Sequence, residues 1–496
     1  MSAPVLTPAE LREVEARLAH ASPPLMERAG AAVAEHARRL AADTGAPILV
    51  VAGPGNNGGD AWVAAARLRD TFHKVTVLDV TGSPPKIDTA RAAKDAFVKG
   101  GGAVVREWPG AAPALIVDGL LGIGLARDVD AAFATLIERM NAAGAPILAI
   151  DVPSGLDSAT GRARGATVRA THTVTFIAHK VGLHTGDGPD HCGKVTLEDV
   201  GAGEATRELG RGIVLTPDTV RPWLRPRARN SHKGHFGTLG IVGGNRGMVG
   251  AALLAGRAAL LAGAGKVQLG LLASDAPTVD PQYPELMLRS IDDVMTASVL
   301  VMGPGAGQSV SSTSLSTFER QLLPSAIASS KPLVLDADAL NTLAINDKLR
   351  AEVPKRTAPT LATPHPAEAG RLLAMNTAEV QADRLAAACE LARRLNAHVV
   401  LKGVGSLCAS PDGRFAVNTT GNPGLASGGT GDVLAGILGA LLCQGLDAPQ
   451  ALQYAVCLHG AAADTLVARG RGPVGLTASD ISLEARRLLN LWTAKH

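Results

Sequence analysis

Residues Gly421–Gly436 read GNPGLASGGTGDVLAG, a glycine-dense stretch that passes directly into an apolar run, Val433–Cys443. Glycines permit positive φ angles and close backbone approach, so this stretch predicts a tight turn that opens a helix. The first turn of a helix presents unpaired N–H groups and the positive end of the dipole, which attract anions. Asp432 stands at this point. A lone acid there can be a helix cap, but five glycines in Gly421–Gly431 favour a phosphate-binding turn with a base beside it.

The composition limits the classes of protein that the chain can belong to. With 496 residues, 46% hydrophobic and 19% charged, it predicts two large globular domains or about three average ones. Lys and Arg number 48 against 45 Asp and Glu, and aromatic residues make up 3%, which argues against a nucleic-acid partner. The five cysteines are scattered without a CxxC pair, which predicts a reducing compartment and no zinc site.

The N-terminal residues MSAPVLTPAELREVEARL carry charges early and have no apolar core, unlike a signal peptide. The longest clean apolar run, Val433–Cys443, is shorter than the ~20 residues that span a bilayer. We therefore expect a cytoplasmic protein without a membrane partner.

The first half of the chain predicts a Rossmann-like three-layer α/β/α sandwich. A short apolar strand, Pro47–Ala52, runs into GPGNNGGD at Gly53–Asp60, and Ala61–Arg69 has helical character. Strand, glycine loop and helix in this order are typical of a nucleotide phosphate site. Helical stretches separate the further predicted strands, Lys74–Val80, Ala114–Val117 and Pro146–Ile150.

Acidic residues follow two of these strands directly. Asp118 and Asp151 each open a turn, and ligands of parallel sheets bind beyond the carboxyl ends of the strands. Either acid alone can be a helix cap. Because the loops Asn56–Asp60, Asp118–Asp128 and Asp151–Ser154 meet at one sheet edge, the sequence favours a binding site.

The motifs PGNNGGD, VDGLLGIGL and DVPSGLD together resemble the N-terminal domain of the bifunctional NAD(P)H-hydrate repair enzymes, over roughly Leu11–Val200. In that family the domain interconverts the R and S epimers of hydrated NADH or NADPH and holds a potassium ion. The resemblance implies that the hydrated dinucleotide contacts Asn56, Asn57, Gly58, Gly59, Asp60, Gly122, Ile123, Gly124, Leu125, Ala126, Arg127, Asp128 and Asp151. It implies potassium ligands at Asn57, Asp118 and Ser154.

Epimerisation requires the hydroxyl to leave and return, or the ring to open. Either route needs an acid or base within hydrogen-bond reach. Asp151 is the predicted catalytic residue of this domain.

The second half predicts another α/β domain after a boundary near residues 205–215, which gives domains 1–210 and 211–496. Clustered arginines and prolines at Arg221–Arg229 are typical of an exposed surface or linker. Strands are predicted at Thr238–Val242, Ser298–Met302, Pro332–Leu335, Thr360–Ala362 and His398–Leu401. Glycine-rich or polar segments follow each of them, which indicates one functional edge of a sheet.

Each polar candidate in this half also has a structural interpretation. His365 can be a turn histidine satisfied by backbone groups, Lys402 an exposed residue at a strand end, and Asp336 and Asp338 helix caps. Their occurrence together with the glycine turn before Asp432 favours a site.

The motifs DADALN, TPHPAE, KGxxS and GGTGDVLAG resemble the ribokinase-like superfamily. With GGNRGMVGA and GPGAG they resemble the dehydratase domain of the same repair enzymes, over about Thr216–Leu489. In this family ADP, or ATP in many eukaryotic members, phosphorylates the hydroxyl of the S epimer, and phosphate then leaves. The resemblance implies a catalytic base at Asp432, a hydrate site at Ala251, Gly305, Gly307, His365 and Asp432, and a nucleotide site at Lys402, Gly403, Val404, Gly405, Ser406 and Gly431. Mg²⁺ accompanies the nucleotide, and no residue is named as its ligand.

The sequence thus predicts an epimerase domain fused to an ADP-dependent dehydratase domain, with NADHX or NADPHX as substrate. The family precedent and the alanine-rich helices predict a homo-oligomer. The alternatives are a ribokinase-like kinase of a small molecule fused to an unrelated domain, and an N-terminal domain that only binds its ligand.

Overall fold

The computed structural model describes residues 3–41, 43, 45–81, 85, 87–125, 127–307 and 316–494. Backbone contacts divide the chain into two compact units that meet in sequence between Gly212 and Ile213. Within the described ranges, no helix combines the length and the apolar character needed to cross a membrane.

The N-terminal unit alternates strands and helices. Its strands are β1 (Pro4–Leu6), β2 (Ile48–Ala52), β3 (Val75–Asp79), β4 (Ala103–Val105), β5 (Leu115–Gly119), β6 (Ile147–Ile150), β7 (His172–Phe176), β8 (His179–Lys180) and β9 (Lys194–Glu198). Its helices are α1 (Pro8–Arg17), α2 (Leu25–Leu40), α3 (Asn56–Asp70), α4 (Asp88–Lys99), α5 (Ala131–Ala142), α6 (Gly188–Cys192) and α7 (Gly203–Leu209). A 3-10 turn covers Val181–Leu183.

The main sheet of this unit is parallel, in the order β4-β3-β2-β5-β6-β7-β9. The chain runs outward from β2 to β4 and then returns to place β5 on the other side of β2. The direction of winding therefore reverses between β2 and β5. This reversal opens a crevice at the carboxyl ends of the two strands, where open α/β sheets bind their ligands.

Both faces of the sheet are covered. In β2 the side chains of Ile48 and Val50 enter one hydrophobic core with α2 and α3, while Leu49 and Val51 enter a second core with α5. A strand buried on both faces has no polar alternation, which is why its sequence is a continuous apolar run. The three-layer α/β/α sandwich is confirmed.

The glycine loop after β2 is shorter than predicted. Helix α3 begins at Asn56, so the residues NNGGD form its first turns, whereas the sequence suggested a start at Ala61. Glycine is a poor helix former, but here tertiary packing requires it. A Cβ atom on Gly58 would lie 1.9 Å from the carbonyl oxygen of Gly53, and one on Gly53 would lie 1.8 Å from that of Leu120.

We expect Gly58→Ala to destabilise the N-terminal unit by roughly 1–3 kcal/mol, or more if α3 must shift, because the added methyl group overlaps a backbone carbonyl. Urea unfolding followed by tryptophan fluorescence, to which Trp62 of α3 contributes, measures the effect. Gly55→Ala is the matched control, since nothing lies within 4 Å of its added Cβ atom. Equal unfolding midpoints for the two variants would contradict the packing argument.

The C-terminal unit is larger. Its strands are β10 (Gly212–Leu215), β11 (Thr238–Gly243), β12 (Lys266–Leu271), β13 (Met287–Leu288), β14 (Val299–Met302), β15 (Leu333–Leu335), β16 (Thr360–Ala362), β17 (His398–Leu401), β18 (Leu407–Ala409) and β19 (Phe415–Asn418). Its helices are α8 (Pro217–Val220), α9 (Val249–Leu261), α10 (Ile291–Val294), α11 (Leu323–Ala328), α12 (Asp338–Ile345), α13 (Asp347–Arg350), α14 (Pro366–Leu373), α15 (Thr377–Ala382), α16 (Arg384–Leu395), α17 (Thr430–Cys443), α18 (Ala448–Ala468) and α19 (Ala478–Thr493). Short 3-10 turns cover Arg221–Trp223, Lys233–Phe236, Val353–Lys355 and Pro423–Leu425, and a π-helical turn covers Phe318–Leu322.

The strands of this unit follow the order β13-β12-β11-β14-β15-β16-β17-β18-β19-β10. Strands β13 to β17 in this order are parallel, and β18 is antiparallel to both of its neighbours. The winding again reverses, here between β11 and β14. Helix α17 packs with α9 and α18 in the hydrophobic core over this sheet. It therefore holds Asp432, in its first turn, on a rigid element.

Candidate functional site

A cavity of about 710 Å³ opens at the crevice between β2 and β5 of the N-terminal unit. The residues predicted for the dinucleotide that line it are Asn56, Asn57, Asp60, Gly122, Ile123, Gly124, Leu125, Arg127 and Asp151. Apolar side chains from α1, α2 and β7 complete the wall, among them Leu11, Met26 and Phe176. A cavity that is mostly apolar with a few convergent polar groups is the usual form of a small-molecule site.

Among the described residues predicted for this site, three do not belong to the lining. Gly58 lies against the backbone of Gly53, and a Cβ atom on Gly59 would lie 2.5 Å from Cε of Met26, so both glycines serve the packing of α3. Asp128 is exposed and does not line the cavity. Ala126 lies outside the described residues. Contact of these four with a ligand stays a prediction.

The residues predicted to hold potassium lie together beneath the cavity. The Asp118 carboxylate is fully buried and accepts hydrogen bonds from Ser154 Oγ at 2.6 Å, Ser154 N at 2.8 Å and Leu120 N at 3.2 Å. Asn57, 7% exposed, donates from Nδ2 to the carbonyl oxygen of Leu121 at 2.8 Å. Burial raises the pKa of Asp118 to about 6.

This donor set suits a hard monovalent cation. Asp118 forms no ion pair with any residue in the described ranges, although a buried carboxylate normally needs a cationic partner. Carboxylate, amide, hydroxyl and carbonyl oxygens are what such a cation binds. No group of three or more His, Cys, Asp or Glu side chains arranged for a metal ion occurs in the described part of the chain.

Asp151 stands at the cavity wall in a strained backbone conformation, with φ +63°. Non-glycine residues rarely adopt positive φ angles, and those that do often lie at functional sites. Its Oδ1 accepts hydrogen bonds from Thr175 Oγ1 at 3.0 Å and Phe176 N at 3.1 Å. It also accepts one from Nζ of Lys180, whose side chain is 5% exposed.

Lys180 and Glu15 both line the cavity, although the sequence patterns predicted neither of them as a site residue. Lys180 follows Asp151 by 29 residues. The signal for it was the family resemblance over Leu11–Val200, which includes the segment Lys180–Leu183. Glu15 lies on α1, and nothing in its local pattern distinguishes it from the other acids of that amphipathic helix.

In the C-terminal unit, Asp432 lies in the first turn of α17, behind Gly429, which has φ +88°. A side chain at Gly429 would be strained and would also lie 2.5 Å from Leu254, so this turn requires glycine. Burial, with smaller contributions from Asp336 and Asp338, raises the pKa of Asp432 to about 7, and Lys402 opposes the shift. A carboxyl that titrates near neutral pH is suited to general base catalysis.

Lys402 links the acids around Asp432. Its Nζ atom lies 3.2 Å from Asp336 Oδ1 and 4.0 Å from Glu368 Oε2, and its side chain is 21% exposed. Asp336 and Glu368, together with Asp432, raise the pKa of Lys402 despite its burial. Burial raises the pKa of Glu368 to about 7, against the influence of Lys402. Lys402 therefore acts as the shared counter-ion of three carboxyl groups.

Ala337 connects two of the acids through a second strained residue, with φ +48° and ψ −114°. It lets Asp336 bond to Thr363 Oγ1 at 2.6 Å and Asp338 Oδ2 accept from Gly307 N at 2.7 Å. The acids after β15 are thus fixed to the neighbouring loops after β14 and β16, and neither is a simple solvent-exposed cap.

His365 is the N-cap of α14. Its ring is bonded to backbone groups, as the structural interpretation predicted, but at a helix start and not in a turn. Its Nδ1 accepts hydrogen bonds from the backbone N–H groups of Ala367 at 3.1 Å and Glu368 at 3.3 Å. The remaining ring nitrogen, Nε2, lies 3.3 Å from Glu368 Oε1, and the side chain is 47% exposed. The cap interpretation does not exclude a ligand contact through the exposed ring, which stays a prediction.

The other predicted residues lie on the loops at this edge. A Cβ atom on Gly305 would lie 2.9 Å from that of Ala251, so the two residues are neighbours. Gly403 and Val404 are exposed, and Ser406 Oγ donates to the carbonyl oxygen of Gly403 at 2.9 Å. A Cβ atom on Gly431 would lie 3.4 Å from Lys402 Nζ. Lys402, Gly431 and Asp432 therefore lie close together at the same edge of the sheet. Gly405 lies in the same loop as Ser406.

Two family models match the chain. The model described as NAD(P)H-hydrate dehydratase matches residues 239–486, and the model described as YjeF-related protein N-terminus matches residues 22–182.

Whole-chain relatives have the same arrangement. The bifunctional NAD(P)H-hydrate repair enzyme Nnr of Escherichia coli is 38% identical over 480 residues, covering 94% of this chain and 89% of that protein. The enzyme of the same name from Coxiella burnetii is 38% identical over 460 residues, covering 89% and 90%. The bifunctional NAD(P)H-hydrate repair enzyme of Leishmania braziliensis is 36% identical over 495 residues, covering 92% and 88%.

A solved structure is similar to the C-terminal unit. The ADP/ATP-dependent NAD(P)H-hydrate dehydratase of Bacillus subtilis, co-crystallised with ATP and Mg²⁺, is 32% identical with a TM-score of 0.50, and the match covers 56% of this chain and 98% of that one. A ribokinase-like superfamily protein of Enterococcus faecalis is 26% identical with a TM-score of 0.50, covering 57% and 96%. The ribokinase-like fold of the C-terminal unit is confirmed.

Proposed function

The chain belongs to the family of bifunctional NAD(P)H-hydrate repair enzymes, and from this premise we propose that it restores hydrated nicotinamide cofactors in two steps. The N-terminal unit interconverts the R and S epimers of NADHX and NADPHX. The C-terminal unit dehydrates the S epimer to NADH or NADPH with ADP as phosphoryl donor. The observation that carries the proposal is Asp432, a carboxyl of pKa about 7 in the first turn of α17 behind a glycine turn.

In the dehydration, Asp432 takes the proton of the substrate hydroxyl as its oxygen attacks the terminal phosphorus of the nucleotide. The backbone N–H groups of the turn at Gly429–Gly431 stabilise the charge that develops on the phosphoryl group, because they lie at the positive end of α17. Phosphate then leaves in place of hydroxide, which is a far poorer leaving group. A Mg²⁺ ion bound with the nucleotide would supply neutralisation of the phosphate charge.

In the epimerisation, Asp151 exchanges a proton with the hydroxyl or with the water that replaces it. Lys180 compensates the negative charge of Asp151, and the bonds from Thr175 and Phe176 fix its orientation. The oxygen atoms of Asn57, Asp118 and Ser154 suit a potassium ion, which would hold the loops after β2, β5 and β6 in place.

The test is the return of NADH absorbance when the protein is added to a fresh mixture of NADHX epimers with Mg²⁺ and K⁺. Parallel reactions contain ADP, ATP or no nucleotide, and a protein-free control measures spontaneous exchange of the epimers. Complete recovery, faster than the spontaneous exchange allows, supports both activities and ranks the two donors. Recovery that stops when the S epimer is consumed would contradict the epimerase activity. If NADH is not recovered with either nucleotide, the repair function is contradicted and the kinase alternative is favoured.

We expect potassium to stabilise the N-terminal unit through Asp118. A ligand at one hundred times its dissociation constant adds about 2.7 kcal/mol to the free energy of unfolding, so KCl should raise the unfolding temperature more than choline chloride at equal ionic strength. Asp118→Asn should abolish the difference between the salts. Asp157→Asn is the control: it removes another acid of the loop after β6, paired with Arg164, and should keep the response to potassium. A difference that survives in Asp118→Asn would contradict the site.

We also propose a homo-oligomer, which sedimentation velocity tests, and a cytoplasmic location. The location is supported by Cys192, Cys389, Cys408, Cys443 and Cys457, all of which have free thiols.

A further inference from the structure

The N-terminal cavity contains more acid than its one buried ammonium group can neutralise. Glu15, Asp60 and Asp151 all line it, together with Lys180. Arg127, on the loop after β5, also lines the cavity, but it is exposed to solvent, unlike Lys180. Three carboxyl groups that face one ammonium repel one another, so ionising all of them together carries an electrostatic cost.

Asp151 is the member that the structure equips as an anion. Nζ of Lys180 donates to Asp151 Oδ1, to Thr175 Oγ1 at 2.9 Å and to the carbonyl oxygen of Phe176 at 2.9 Å, which uses all three N–H bonds of an ammonium group. Every hydrogen bond that Asp151 accepts from the described residues ends on Oδ1. Oδ2 is therefore the oxygen available to a ligand.

Asp60 is the member that the structure equips as a neutral acid. It projects from the first turns of α3, and its carboxyl group makes no hydrogen bond or ion pair with any described residue. Burial, then the charges of Asp151 and Glu15, raise its pKa well above the ordinary value, and Lys180 opposes them only in part. Burial and Asp151 also raise the pKa of Glu15, and Lys180 and Arg12 oppose that shift.

We propose that Asp60 is the catalytic acid of the epimerisation, and that it works against Asp151 as the base. The inference rests on the proposed epimerase function and assigns its second proton-transfer group. Two carboxyl groups whose surroundings favour opposite protonation states are the usual arrangement for paired acid and base catalysis.

The hydroxyl of a hydrated dihydronicotinamide is on the ring carbon next to nitrogen, so its departure is assisted by the nitrogen lone pair. Asp60 gives its proton to this hydroxyl, the C–O bond breaks with both electrons going to oxygen, and water leaves. A double bond forms between carbon and the positively charged nitrogen. A second water molecule adds to the opposite face of the carbon and gives a proton to Asp151. Each turnover transfers one proton from Asp60 to Asp151, and the reverse reaction or exchange with solvent restores it.

The decisive variant is Asp60→Asn, which keeps the shape of the side chain and removes the proton. Starting from one purified epimer, with spontaneous exchange subtracted, kcat should fall by about 10²–10⁴-fold while KM changes little. In the wild-type enzyme the rate should decline at high pH as Asp60 ionises, and Asp60→Asn should lose this basic limb. A variant with raised KM, unchanged kcat and an intact basic limb would reduce Asp60 to a binding residue.

Glu15→Gln tests the role of Asp60 while leaving Asp60 itself unchanged. The charge of Glu15 disfavours ionisation of Asp60, so a neutral glutamine should move the basic limb to lower pH. An unmoved limb would overturn the assignment, including the case in which Asp60→Asn fails to fold. Glu13→Gln, on the same helix but paired with the exposed Arg17, should leave the profile unchanged.

Reaction in ¹⁸O-labelled water tests the path of the oxygen atom. Inversion by a second water molecule should introduce one labelled oxygen for each epimerisation event, and epimerisation without label would overturn the mechanism. These outcomes are distinct from failure of the proposed function. If wild-type protein epimerises no faster than the spontaneous exchange, the epimerase function itself is contradicted. If wild-type protein is active and Asp60→Asn is equally active, only the role of Asp60 is contradicted.

Discussion

Replacing Asp432 by asparagine is expected to lower the rate of NADH recovery from S-NADHX by about 10²–10⁴-fold, because an amide cannot take the hydroxyl proton during phosphoryl transfer. The wild-type rate should rise with pH through about 7. The sign follows from the role: a base must be deprotonated, and the pKa of Asp432 is raised to about 7 chiefly by burial. The variant should lose this dependence. Initial rates at saturating ADP across this pH range measure both effects.

Asp447→Asn is the matched control for Asp432. Asp447 is also an acid at a helix start, but its carboxylate accepts a hydrogen bond from Gln450 N at 2.8 Å and caps α18. The N-cap residue of α17 is Gly429, which has no side chain and makes no such capping bond. Asparagine caps a helix about as well as aspartate, so Asp447→Asn should change stability little and leave the rate unchanged. Similar losses of activity in both variants would indicate that Asp432 is a structural cap.

Lys402→Met is expected to have the largest effect on stability in the C-terminal unit. Its ammonium group lies 3.2 Å from Asp336 Oδ1 and 4.0 Å from Glu368 Oε2, and these carboxylates are 2% and 5% exposed. Removing one partner of a buried ion pair costs about 3–5 kcal/mol, since the remaining charge is left uncompensated. Urea unfolding, followed by far-ultraviolet circular dichroism, measures the loss.

The same variant tests how Lys402 acts. Lys402 lowers the pKa of both Asp432 and Glu368, so its removal should shift the rise of the dehydration rate to higher pH. A residue that only binds the nucleotide would raise the KM for ADP without moving the pH profile. Lys402→Arg keeps the charge and should retain a profile close to that of the wild type; a shift of equal size in both variants would contradict the electrostatic role.

The strands and loops that build the two sites could be predicted from local patterns. Buried parallel strands are continuous apolar runs, so β2, β5 and β6 were found within a few residues of their observed bounds. The rule for parallel sheets placed Asp118 and Asp151 at the correct sheet edge. Asp151 directly follows β6 as predicted, whereas Asp118 lies within β5, which extends to Gly119 and not only to Val117. Local patterns also predicted the turn before α17.

Other features depend on contacts that no local pattern records. The sequence suggested a loop for Asn56–Asp60 because glycine disfavours helix, but the close approach of Gly58 to Gly53 requires glycine within the first turns of α3. Lys402 forms a hydrogen bond with Asp336, 66 residues away in the sequence, and Lys180 forms one with Asp151, 29 residues away. Strands β18 and β19 were missed, although Asp412-Gly413 between them is a typical turn signal.

The burial of Asp118 also has a consequence for the order of folding. Its carboxylate obtains two of its hydrogen bonds from Ser154, which follows it by 36 residues. During synthesis at about 5–20 residues per second, roughly 2–7 s separate the emergence of the two residues. Until Ser154 arrives, closing the sheet over Asp118 would bury an unsatisfied charge. We therefore expect early collapse of β5 and β6 around an incomplete set of hydrogen bonds to be disfavoured.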